Sequence, residues 1–190
     1  MSYFAAAVAR DKAGWSAAEV SLADAADVED VADRLRDAAP TADVALLFVE
    51  SDDVYLAILR LDQGEDLRVF GSDVAFAEES RLGALLLGDV AVPLAELDAV
   101  EVVVIAPDLG DDVEVGADAE ADEPLGGPMP VGPVADADPA GDPDLLADLG
   151  VSAIKLLELC AQEGMLPSDI TAELCQAIGA GDEVEELREA

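Results

Sequence analysis

Residues 43–71 read DVALLFVESDDVYLAILRLDQGEDLRVFG. The first eight, Asp43 to Glu50, are almost continuously apolar, the pattern of a strand covered on both faces. Ser51-Asp52-Asp53 is a tight polar turn, and Val54 to Leu61 follows with Tyr55, Ala57 and Leu59 toward one side and Val54, Leu56, Ile58 and Arg60 toward the other. A second turn, Asp62-Gln63-Gly64-Glu65, leads into Asp66–Gly71, where alternation is cleaner. Three consecutive strands on short turns must pair antiparallel, because a parallel pair needs a long crossover. An antiparallel meander therefore sits at the centre of this chain.

Upstream, residues 2–9 and 14–21 are strand-like segments about a polar turn, Asp11 to Gly14, with the single Trp15 as a core-edge anchor. Between them and the meander, Asp24 or Asp27 caps a helix over residues 27–38, with Val28, Val31, Ala32 and Leu35 at helical spacing, closed by Pro40. Downstream, Ser72 or Asp73 caps a helix over 74–87, ended by Gly88, and Ala99 to Ala106 reads as a last strand. Helices against an antiparallel sheet make residues 1–106 an α+β domain.

Residues 107–141 change character. Six prolines, glycines and carboxylates, with no Lys, Arg or aromatic residue, give little that could offset the entropy of ordering, so this stretch reads as a disordered acidic linker. Its Gly126–Pro133 island fits a spacer. Residues 142–190 are helical again. Asp142 with Pro143, Ser152, Ser168 and Asp182 mark four helix starts, and Gly150, Gly164 and Gly179 mark stops. A small bundle near the lower limit of independent folding is expected. Its apolar residues Leu156, Leu157, Leu159, Ile170, Leu174 and Ile178 exceed what so small a bundle easily covers, so they are candidates for binding a partner helix or groove, although forming the bundle's own core is the plainer use.

Charge is the extreme property of the chain: 44 acidic residues against 9 basic ones, a net charge of −35 over 190 residues. The acids are spread as 22, 10 and 12 over residues 1–105, 106–141 and 142–190, against 7, 0 and 2 bases. Such a surface repels phosphate backbones and anionic lipids, which argues against direct binding of nucleic acid or membrane. It favours a basic protein partner, since complementary potentials speed encounter and select partners. Acidity serving only solubility, or life in high salt, is the alternative. The N-terminus lacks a basic segment ahead of its short apolar run and no stretch of about 20 apolar residues occurs, so neither a signal peptide nor a membrane span is expected and the protein reads as cytoplasmic.

Chemistry is narrowed by what the sequence omits. There is no histidine, which removes Ser-His-Asp and Cys-His nucleophiles, the usual zinc sites and a histidine general base. Neither Gly-x-Gly-x-x-Gly nor a phosphate-loop Gly-Lys-Ser/Thr occurs. Asp108, Asp111, Asp112 and Glu114 miss the EF-hand spacing. Cys160 and Cys175, both inside expected helices, fit no zinc pattern and read as buried free thiols. No cofactor and no metal are expected, and catalytic residues are not identifiable. A histidine-free enzyme working through carboxylates, Tyr3 or Tyr55 is the remaining catalytic alternative.

Tyr3-Phe-Ala-Ala-Ala-Val-Ala-Arg10 with Gly14-Trp15, Val69-Phe-Gly-Ser-Asp73 before Leu85-Leu-Leu-Gly-Asp89, and the tail from Leu156-Leu-Glu-Leu-Cys160 through Glu163-Gly-Met-Leu-Pro167 to Gly181–Arg188 resemble the actinobacterial tRNA adenosine deaminase-associated proteins. The likeness covers both halves and skips the linker. It implies a non-catalytic accessory role beside a tRNA adenosine deaminase, binding that enzyme and modulating its stability or tRNA access. It does not imply deaminase chemistry, whose His-x-Glu and Pro-Cys-x-x-Cys zinc signature is missing here.

Overall fold

The computed structural model describes residues 3–87 and 138–189. The strand expected over 99–106 and the linker as far as residue 137 lie outside them. Five strands come first in the chain: β1 (Tyr3–Asp11), β2 (Gly14–Glu19), β3 (Val44–Ser51), β4 (Tyr55–Asp62) and β5 (Asp66–Gly71). A two-residue β6 (Ala140–Gly141) completes a six-stranded sheet in the order β2-β1-β3-β4-β5-β6, antiparallel throughout. The α+β class and the meander read from residues 43–71 are those observed.

Both meander turns place their two central residues in the left-handed region: Asp52 and Asp53 at φ 48° and 58°, Gln63 and Gly64 at 51° and 76°. Such turns match the right-handed twist of the strands they join, which is why Asp and Gly occur there. They fix the register, and the register sorts the side chains. Ala7, Leu47, Leu59 and Val69 lie opposite one another across four strands on one face, while Ala6, Phe48, Ile58 and Phe70 form the corresponding row on the other.

Helices α1 (Val28–Ala38), α2 (Val74–Glu79) and α3 (Arg81–Leu87) cover the first face. Asp27 caps α1, its carboxylate accepting from the Asp30 N–H at 2.9 Å. The single helix expected over 74–87 is two. Ser80 is extended, at φ −105° and ψ 139°, and its Oγ accepts from the Gly83 N–H at 2.8 Å, so a serine that could have continued one helix caps the next. Gly83 permits the fold-back, because a Cβ there would stand 2.3 Å from Ala77 Cα.

The second face is covered by the C-terminal segment. A 3-10 turn (Ala147–Leu149) precedes α4 (Ala153–Ala161), α5 (Pro167–Ile178) and α6 (Gly181–Glu189). The helix expected from Pro143 is thus only this turn, closed by Gly150 at φ 102°. Helix α5 begins one residue before the expected Ser168, with Pro167 in its first turn. Leu145, Leu146, Val151, Leu156, Leu159, Ile170, Leu174, Cys175, Ile178 and Val184 form one core with Val8, Leu46, Phe48, Leu56, Ile58 and Phe70 of the sheet. The near-continuous apolarity of β3 and β4 follows from this double cover.

Entry to the C-terminal segment is pinned at the sheet edge. The Val74 N–H donates to Asp138 O and the Asp142 N–H to Val69 O, each at 2.8 Å, and Ala140 is fully buried. The last residues assigned to the linker by composition therefore belong to the sheet.

Candidate partner-binding surface

Of the six residues put forward for partner contact, Leu156, Leu159, Ile170, Leu174 and Ile178 are buried, none more than 9% exposed, beneath α4 and α5 against the sheet. Leu157 alone is half-buried, at the margin of that core. The bundle does not have to cover its apolar surplus by itself. The second face of the sheet does so, and each such side chain contributes about 1.5–3 kcal/mol relative to exposure.

What α4 leaves outside is a different stripe. Leu156 and Leu159 point inward, so Ile154 and Ala161, at i and i+7, fall on the opposite side, and Leu157 lies on the flank between, half-buried against the same core. Ile154 is 70% exposed, and Leu166, in the loop before α5, 43%. Ile154 is not among the six residues put forward, although it precedes Leu156, Leu157 and Leu159 in the same helix. The available signal was width: Ile154, Leu156, Leu157, Leu159 and Cys160 surround the helix axis, more than one interface can absorb.

Around the stripe the segment is acidic. Among residues 142–189 the two cations are both engaged, Lys155 with Glu173 at 3.5 Å and Arg188 with Glu50, where the guanidinium also lies over the Phe4 ring at 5.4 Å. Glu158 and Glu163 remain exposed. Burial raises the Glu50 carboxyl above its ordinary range, with the Thr171 hydroxyl and Arg188 acting the other way.

A charge network clamps the segment to the sheet. Arg60 stands on β4 where alternation calls for an apolar side chain, and it is 4% exposed. Its Nε donates to both Asp62 carboxylate oxygens at 2.9 Å, Nη1 to Leu145 O at 2.6 Å and Nη2 to Asp148 Oδ2 at 2.8 Å, while Nη1 also pairs with Asp148 Oδ1. Arg68 extends the chain of charges, reaching Asp62 at 2.8 Å and Asp142 at 3.5 Å. Hydrogen bonding from Arg60 holds the Asp148 carboxyl below its ordinary value. At Asp62 burial pushes the carboxyl up, but hydrogen bonds from Arg60 and Arg68 outweigh it and leave it lowered.

The two thiols and Tyr55 are poorly placed for covalent or acid/base chemistry. Burial pushes both thiols, Cys160 and Cys175, up to about 12. Tyr55 is fully buried, stacked on Phe76 at 4.6 Å between centroids, and burial raises its phenol. The Tyr3 hydroxyl accepts from the Leu22 N–H at 2.9 Å. Among the described residues no group of three or more Cys, Asp or Glu is arranged to hold a metal ion, and no helix is long and apolar enough to cross a membrane.

Fold and surface together define an acidic, histidine-free α+β protein that carries an apolar helix stripe on its outside. The chain belongs to the family described as Rv3753c-like tRNA adenosine deaminase-associated protein, whose model matches residues 3–181. No curated protein and no solved structure matches it.

Proposed function

We propose that this protein is a non-catalytic acidic accessory protein that binds a tRNA adenosine deaminase and modulates its stability or its access to tRNA. Membership of the deaminase-associated family over residues 3–181 carries the reading. Charge supplies the physics: an enzyme that binds tRNA must present a basic surface, and a chain of net charge −35 is attracted to such a surface at long range. The lack of histidine in the sequence, the burial of Tyr55 and Cys175 and the partial burial of Cys160 support an accessory rather than a catalytic role.

Co-elution of the purified pair on a sizing column tests it. A stoichiometric complex is expected at low and near-physiological salt, weakening as salt screens the charges. Absence of a complex at low salt overturns the reading. The competing view, an acidic scaffold adapted to solubility or to high salt, then stands, and its high-salt form predicts unfolding of the protein below molar salt.

A further inference from the structure

The outward stripe of α4 is the place where charge alone does not explain the surface. A solvent-facing helix side in a chain this acidic would ordinarily be polar, yet its central positions are Ile154 and Ala161, with the half-buried Leu157 at their flank. Lone exposed apolar residues are common, but Ile154 and Ala161 share one side of one helix with the uncovered edge of Leu157, and the next loop adds Leu166. Interfaces have this anatomy, an apolar centre within a charged rim.

The rim says what fits. Glu158 and Glu163 are exposed beside the stripe, and the Lys155 ammonium is turned to Glu173 at 3.5 Å. A second copy of this chain would bring a further net charge of −35 against the first, so self-docking is opposed. A protein surface with apolar residues ringed by Lys and Arg is complementary on both counts.

We infer that the Ile154–Leu157–Ala161 stripe of α4 is the docking surface for such a basic protein face, and that the face belongs to the tRNA adenosine deaminase, an assignment that rests on the function proposed above. Long-range attraction is spread over the whole acidic chain and steers encounter, whereas the stripe supplies the short-range contact that holds the complex. The arrangement assigns the outer side of α4 to the partner and its inner side, through Leu156 and Leu159, to the sheet.

Titration calorimetry of the full chain with the purified deaminase, at low and near-physiological salt, separates the parts of this claim. Ile154→Ala is expected to weaken binding about tenfold and Ile154→Lys more than that, both through faster dissociation. Val54→Lys makes the same charge change at another exposed apolar residue, 64% accessible in the β3–β4 turn, and is expected to bind within about twofold of the parent. Ile154→Lys binding as tightly as the parent overturns the docking surface while leaving the association intact. A parent chain that does not bind the deaminase overturns the proposed function and this surface with it. A parent dimer that Ile154→Lys dissociates reassigns the stripe to a second copy, and a melting midpoint several degrees lower in Ile154→Lys alone shows it to be covered within the chain; either result overturns the inference.

Discussion

Arg60 shows how much one side chain can decide. It occupies an inward position on β4, on the face that the C-terminal segment covers, and a charge so placed is tolerated only when its hydrogen bonds are filled. Asp62, Asp148 and Leu145 O fill them. Arg60→Met should therefore lower stability by about 1–2 kcal/mol at neutral pH, read as the shift in urea midpoint, because Leu145 O and the partly exposed carboxylates lose their donor. Asp148 is 57% exposed, so its own share is smaller, and Asp148→Asn should cost about 1 kcal/mol. The sign of its pH dependence follows from a folded value held below 3.8. That stabilisation is complete above 3.8 and vanishes as pH falls through the lower folded value, so melts of the parent and Asp148→Asn should converge only below pH 3.8. Cys160 and Cys175, pushed up to about 12, should resist thiol reagents at neutral pH until the protein unfolds. The sequence placed Arg60 on the side of Leu56 and Ile58, but its partner Asp148 lies 88 residues away, and no local pattern can join them.

Elements were legible in proportion to how locally they are determined. Strands β3 to β5 are set by alternation and by turns whose Asp and Gly residues accept positive φ, and their expected bounds lie within one residue of the observed ones. The break at Ser80 was not legible, because Ser80 and Gly83 are compatible with one helix and only the close approach to Ala77 selects two. Strand β6 was hidden for a different reason: two residues carry no period, and Pro139 and Gly141 fit the composition of the linker. Gly141 nonetheless holds φ 92° and a Cβ there would meet Val69 O at 2.1 Å. Gly141→Ala should thus cost about 2 kcal/mol or more by forcing the strand off the edge of β5, with faster amide exchange at Asp142 as the local readout.

At the scale of the whole molecule, the two helical groups and the sheet share their cores, and this alters what the expected boundary at residue 106 means. Val8, Leu46, Phe48, Leu56, Ile58 and Phe70 are buried only because the C-terminal helices lie on them. Side chains worth about 1.5–3 kcal/mol each, set against a net stability of about 5–15 kcal/mol, leave no margin for removing that cover. A chain ending at Ala106 should therefore self-associate or melt without cooperativity, and a peptide of residues 138–190 added in trans should restore a cooperative transition. Repulsion among 44 acids predicts that melting temperature rises as salt is added from low concentration, which differential scanning checks directly. The sequence showed the need for two covers in the unbroken apolar run of β3, while composition at residues 107–141 pointed only to a disordered acidic linker. The order in which the covers are made has its own consequence. On the ribosome β5 emerges about 120 residues before the end of α6, which at roughly 5–20 residues per second leaves the second face of the sheet without its full cover for roughly 6–24 s. During that interval the nascent chain presents a flat apolar surface to anything nearby, so chaperone capture, codon speed and premature termination should govern its yield more than the stability of the finished protein does.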